Sequence, residues 1–278
     1  MKLQDTFFSW SRFFSLCRKE LSEDWRKHLL RILLVYGFLT LVFLVRNMDI
    51  NHHSSVVSLS YDSCFSDMMI IGTFAFLFAG CYSASLLTER LKSKTSRLSD
   101  MMTPASTFEK YILRWSLFTM GYVFLFFLLF YLADYTRYLV MSFTYPEVEE
   151  ITPIPFLDYF YAPWGDSRKW TLFNNAIQLR MGVSAYFCIQ SFFILGSTLW
   201  PKNAFLKTFA AVMVTGVTLI LISTWLTEEV LPSTMALPFG MEPMTFTNLI
   251  FVFFLLFTLF NWVVAYYRYK EMEIINRW

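Results

Sequence analysis

The sequence predicts an all-α integral membrane protein. It has six transmembrane helices, an amphipathic N-terminal helix lying in the interface, and both termini on the cytoplasmic side. Three observations predict this. Of 278 residues 56% are hydrophobic and only 16% charged, where a soluble domain carries about 25%. Six runs approach the ~20 apolar residues that cross a hydrocarbon core. With the N-terminus inside, 18 of the 23 Lys and Arg residues fall in inner segments, whereas 12 of the 21 acids fall outside. Cytoplasmic segments collect Lys and Arg, so this asymmetry sets the orientation as N-in, C-in.

Residues 7–28 form the first element. Phe7, Trp10, Phe14, Cys17, Leu21 and Trp25 recur at three- and four-residue spacing, with Arg12, Arg18, Lys19, Glu23, Arg26 and Lys27 on the other face. A basic amphipathic helix with large aromatics lies in the membrane interface, here as an elbow leading into the first span. A plain juxtamembrane helix is the alternative. No compact apolar core with a small-residue cleavage site is seen, so no signal peptide is expected. The spans follow at 29–45, 68–87, 112–132, 176–200, 204–226 and 246–267. Backbone polar groups in lipid must be bonded within the segment, which makes each run a helix.

Small residues let helices approach closely. Gly72, Ala75, Ala79 and Ser83 in the second span, and Ala210, Ala211, Thr215 and Gly216 in the fifth, predict the tightest packing, within one chain or between two. The bulky sixth span predicts a lipid-facing helix. Residues 133–175 form the longest outer segment. Its Pro146, Pro153, Pro155 and Pro163 argue against one long helix, and its aromatics predict packing over the outer ends of the spans. Residues 227–245 read as an outer re-entrant or interfacial excursion.

Catalytic chemistry finds little support. No G-x-S-x-G, P-loop or metal-ligand motif occurs, and His52 and His53 are adjacent rather than on one helix face. Gln178 and Arg180, near the outer end of the fourth span, can snorkel. Gln190, deeper, predicts an interhelical hydrogen bond. The four cysteines lack metal spacing and read as small buried hydrophobes. The chain is therefore not expected to be an enzyme, to hold a cofactor or metal, or to bind nucleic acid.

The inner loop 88–111 carries the strongest local signal. Ser106 followed by Glu109 is a capping box, with Pro104 ending whatever precedes it. The third-span helix therefore starts at about Thr107. Upstream, Leu98, Met101 and Met102 follow a basic stretch and would offer an apolar knob to a cytosolic partner. A solvated basic loop is the other reading.

The elbow, the six spans and the stretch Thr103-Pro104-Ala105-Ser106-Thr107-Phe108-Glu109-Lys110-Tyr111 resemble the ABC type-2 permease family. Thr103 departs from the Leu common there. The resemblance implies an exporter permease of a bacterial inner (plasma) membrane, without its own ATPase. It would work with a second copy or a sibling permease. It implies that Leu98, Ser99, Asp100, Met101 and Met102 dock on a separate ATP-binding-cassette ATPase subunit. Thr103, Pro104, Ala105, Ser106, Glu109 and Lys110 would form the joint to the third span. A non-transporting structural or signalling subunit of a membrane complex is the rival reading.

Overall fold

The computed structural model describes residues 8–53, 57–146, 152–161, 171–200, 202–225 and 243–274. Among these, regular structure is helical, with one isolated bridge between Tyr161 and Phe173. In chain order the helices are α1 (Trp10–Glu23), α2 (Trp25–His53), α3 (Val57–Ser85), α4 (Lys94–Met101), α5 (Thr107–Trp115), α6 (Tyr122–Thr144), α7 (Phe156–Phe160), α8 (Ala176–Leu199), α9 (Ala204–Trp225) and α10 (Pro243–Ile274).

Six stretches are long and apolar enough to cross a membrane: Trp25–Met48, Cys64–Leu91, Thr107–Thr144, Ala176–Leu199, Ala204–Ile222 and Met244–Met272. The third is the main correction to the expected boundaries. Its helix runs through Ser116–Gly121 as a π-helical turn and continues to Thr144 rather than ending at 132. At 1.5 Å per residue its 38 residues measure about 57 Å, well beyond a ~30 Å hydrocarbon core. The expected outer loop therefore begins some twelve residues late. Hydropathy ends the span early because it counts Asp134 and Arg137 as two separate charges, whereas the fold pairs them. The amphipathic helix also differs from a continuous 7–28 run. It stops at Glu23, bends at Asp24, and α2 starts at Trp25. Phe7 and 226–242, most of the expected re-entrant segment, lie outside the described residues.

The chain divides into two compact units. One comprises Trp10–Gly80 and Thr119–Arg180. Its core is Leu39 and Phe43 of α2, Phe65, Met68 and Met69 of α3, and Phe126, Phe130 and Ala133 of α6. Gly72 makes room for Phe130, since a Cβ there would sit 2.5 Å from its ring. In α1, Trp10, Phe14 and Leu21 are exposed. Phe43 meets Phe130 edge-on at 5.2 Å, and the Tyr36 hydroxyl lies 2.8 Å from that of Thr136. These contacts step in opposite senses along α2 and α6, whereas strict alternation would run the first and third spans the same way. The antiparallel pairing of α2 and α6 therefore departs from the expected six-span alternation, which rests on the charge distribution.

At one end of this unit Asp134 and Arg137 are both buried. Arg137 Nε donates to Asp134 Oδ1 at 2.8 Å, and its Nη2 donates to the Thr152 carbonyl at 2.9 Å. Asp134 Oδ2 accepts the Ile154 N–H at 2.8 Å. The pair thus holds 152–154 through backbone groups, while Phe156 stacks on Phe160 and packs against Phe127 and Phe130. The expected packing of aromatics from this segment is present for 152–161. Gln178 serves the start of α8: Asn175 Oδ1 accepts its N–H, and Gln178 Oε1 accepts that of Asn174.

The second unit comprises Met1–Ser9, Cys81–Phe118 and Met181–Trp278. Gly196 of α8 lies against Thr208 of α9, where a Cβ would collide with the Thr208 side chain. The close approach of the fifth span is therefore made on a glycine of the fourth. Ala210, Ala211 and Thr215 of α9 are exposed, and nothing lies within 4 Å of a Cβ placed on Gly216. Gly196→Leu should destabilise the unit by at least about 1–3 kcal/mol through overpacking. Gly216→Leu should leave its detergent melting temperature unchanged. Asn203, in the turn before α9, has φ 54°, which Asn tolerates.

Gln190 corrects another expectation. It donates to the Tyr186 hydroxyl of its own helix at 3.2 Å, one turn away. An interhelical bond to α8 comes instead from Asn261 of α10, whose Nδ2 donates to Ser191 Oγ at 2.9 Å. Cys64, Cys81 and Cys188 are buried and Cys17 is partly so, all four with free thiols. Much of α10 presents exposed Leu, Val and Phe side chains, among them Leu249, Phe253, Leu256 and Phe260.

Candidate functional site

The candidate site is the segment from Thr88 to Trp115, which lies within one unit. After α3 the chain makes a short 3-10 turn, Glu89–Leu91, whose Leu91 is fully buried. The Thr88 hydroxyl anchors the turn by donating to the Ser197 carbonyl at 2.7 Å. Ser93 then starts α4 as its N-cap, its hydroxyl accepting the Ser96 N–H at 3.2 Å. Arg97 reaches back with Nε and Nη2 to the Leu91 carbonyl, at 3.2 and 2.7 Å. These two hydrogen bonds fold α4 onto the turn.

The helix α4 has two different faces. Leu98, Met101 and Met102 are exposed, Met102 at 82%. Ser99 is exposed as well, and its carbonyl accepts the Thr103 hydroxyl. Asp100 points the other way and is 5% exposed. Its Oδ1 accepts Arg114 Nη2 at 2.6 Å, and its backbone carbonyl accepts Lys110 Nζ at 2.8 Å. Of the five residues expected at a docking surface, four therefore lie on the outside of α4, and Asp100 fastens the helix from beneath.

The joint behind α4 is equally specific. The chain leaves it through Met102, Thr103 and Pro104, with the Ala105 N–H bonded to the Thr103 carbonyl at 2.8 Å. The capping box closes at Ser106: Glu109 N donates to Ser106 Oγ at 3.1 Å, and Ser106 N donates to Glu109 Oε2 at 2.9 Å. The other oxygen, Glu109 Oε1, accepts the Ser9 N–H at 2.7 Å. A buried carboxylate bonded to two backbone donors in the first turn of a helix is also favoured by the helix dipole. Removing the Ser106 cap should cost the typical ~1 kcal/mol.

Sequence reasoning missed Arg114 and Tyr269. Arg114 counts there only as one more inner positive charge. In the fold it is 2% exposed and donates Nη1 to the Tyr269 hydroxyl of α10 at 2.6 Å, as well as Nη2 to Asp100. No spacing rule links position 100 to 114 or to 269. The one legible signal was a charge among the apolar residues of an otherwise amphipathic α5.

Around Arg114 the interior is aromatic. Tyr111 packs on Tyr266 and Tyr269, and Trp115 meets Trp262 at 4.8 Å. The Tyr111 hydroxyl donates to the Trp262 carbonyl at 2.9 Å. This arrangement has the makings of a rigid bracket with an apolar outer edge. Among the described residues no three metal-ligating side chains come together. The side chains of His52 and His53 lie outside the described residues. No family model, curated protein or solved structure matches the chain.

Proposed function

We propose that this chain is the membrane-spanning permease subunit of an ATP-binding-cassette exporter, driven by a separate ATPase subunit. A second copy or a sibling permease would complete the pathway. In this reading α1 is the interfacial elbow, both termini are cytoplasmic, and α4 is the docking helix. The observation that carries it is the two-faced α4. Three large apolar side chains are left in the open on a short, basic helix, while its other face is fixed by a buried ion pair and a buried lysine.

A loop that only satisfied the positive-inside rule would need no such anchoring. A loop that transmits force does, because a push on a loose segment is spent on moving the segment. Exposed methionines suit a contact surface that must adapt as its partner moves. The joint residues Thr103 to Lys110 then set the angle between α4 and the third span.

The test is Met101→Asp combined with Met102→Asp, in tagged protein purified in mild detergent. Placing two carboxylates in an apolar contact should lower recovery of a co-purifying ATP-binding-cassette subunit by roughly 10–100-fold. Membrane insertion and yield should be unchanged, since both side chains are exposed. Recovery of this chain with partners that carry no nucleotide-binding motif would move the reading to a structural or signalling subunit.

A further inference from the structure

We infer that the docking helix acts on α10 as well as on the third span, and that Arg114 and Tyr269 are the positioning residues that join them. The inference rests on the transporter reading for its purpose, but the linkage itself is a property of this unit alone.

The geometry points to one guanidinium serving two elements. Nη2 of Arg114 takes Asp100 of α4 and Nη1 takes Tyr269 of α10, both at 2.6 Å. Arg114 is 2% exposed, Asp100 5%, and Tyr269 fully buried. A guanidinium in such surroundings cannot be left without its carboxylate, so a displacement of Asp100 obliges Arg114 to follow. Its planar fork holds the two partners at a fixed angle, which a lysine ammonium does not do. The movement is thereby handed to the Tyr269 hydroxyl. The seam is backed by Phe108 and Tyr111 against Tyr266, and by the bond from Tyr111 to the Trp262 carbonyl. Ala265 and Tyr269, one turn apart, are both fully buried on this face of α10. A span also fixed at Asn261, and exposed along much of its outer face, is thus gripped at the end that meets α5.

The test is amide hydrogen exchange of residues 262–270, read by mass spectrometry on the intact chain in lipid nanodiscs. It compares wild type, Asp100→Asn, Tyr269→Phe and the double variant. Asp100→Asn keeps the side-chain shape and should still speed exchange in 262–270 by about fivefold, the size of coupling expected within a buried network. With Tyr269→Phe in place, the same substitution should leave 262–270 unchanged, because the hydroxyl that receives the signal is gone. Arg114→Lys should mimic Tyr269→Phe and not Asp100→Asn. Equal effects of Asp100→Asn with and without the Tyr269 hydroxyl would overturn the linkage. So would an Asp100→Asn effect confined to 94–115.

A second arm adds MgATP and vanadate to the complex with its ATPase. Exchange in 262–270 should respond in wild type and not in Tyr269→Phe, with docking retained in both. A response that survives Tyr269→Phe counts against the inference. Absence of any ATPase partner counts against the transporter reading and leaves the first arm to decide the linkage.

Discussion

Replacing Arg114 by alanine should lower stability by about 3–5 kcal/mol, the usual cost of breaking a buried ion pair by removing one partner. The loss falls on Asp100. Its Oδ1 would lose the 2.6 Å bond to Arg114, and its Oδ2, buried already, has no hydrogen-bond partner among the described residues. Tyr269 would lose a donor in the same step. In detergent the melting temperature should drop on the order of 10 °C. Lys92→Ala, at an exposed position next to the 3-10 turn, should change it by no more than about 0.5 kcal/mol's worth. An Arg114→Ala protein as stable as wild type would mean that the bracket under α4 is not fixed by this pair.

Asp134→Ala should have an effect of similar size at the other buried pair, again about 3–5 kcal/mol. Arg137 is fully buried, lies over the Phe65 ring, and already has one nitrogen, Nη1, without a hydrogen-bond partner among the described residues. Without Asp134 its charge loses the carboxylate it pairs with among the described residues. The Ile154 N–H loses its acceptor in the same substitution. The diagnostic readout is local: proteolysis or amide exchange across 152–161 should rise far more than in a helix of the other unit such as α9. Asp134→Asn keeps an acceptor and should fall between the two. Loss of stability without any change at 152–161 would show that the pair supports α6 alone.

These two pairs also mark where the sequence could be read and where it could not. The six membrane-length helices were legible because a run of apolar residues has one solution in lipid. The Ser106–Glu109 capping box was legible because both partners lie within four residues. The end of the third span was not, since hydropathy scores Asp134 and Arg137 as two separate charges. Their i, i+3 spacing was the available sign that they neutralise each other on one helix. Gln190 was read as an interhelical donor, yet Tyr186 four residues earlier offered a partner within the helix. Asp100 was grouped with its neighbours as docking surface. At eight residues, α4 is long enough to have an inner face, and only the fold shows which residue occupies it. The roles of Arg114 and Tyr269 depend on contacts across 155 positions and left no local trace.

The proposed docking would set the exposed apolar edge of α4 against an ATPase. A photo-crosslinking amino acid placed at Met102 in cells, with the adduct identified by mass spectrometry, tests this, and the same probe at the exposed Leu256 of α10 is the control. Docking predicts a major adduct from position 102 to a protein carrying the nucleotide-binding motifs of an ATP-binding-cassette subunit, and none to that protein from position 256. Adducts at Met102 to lipid alone, or to proteins without such motifs, would contradict it.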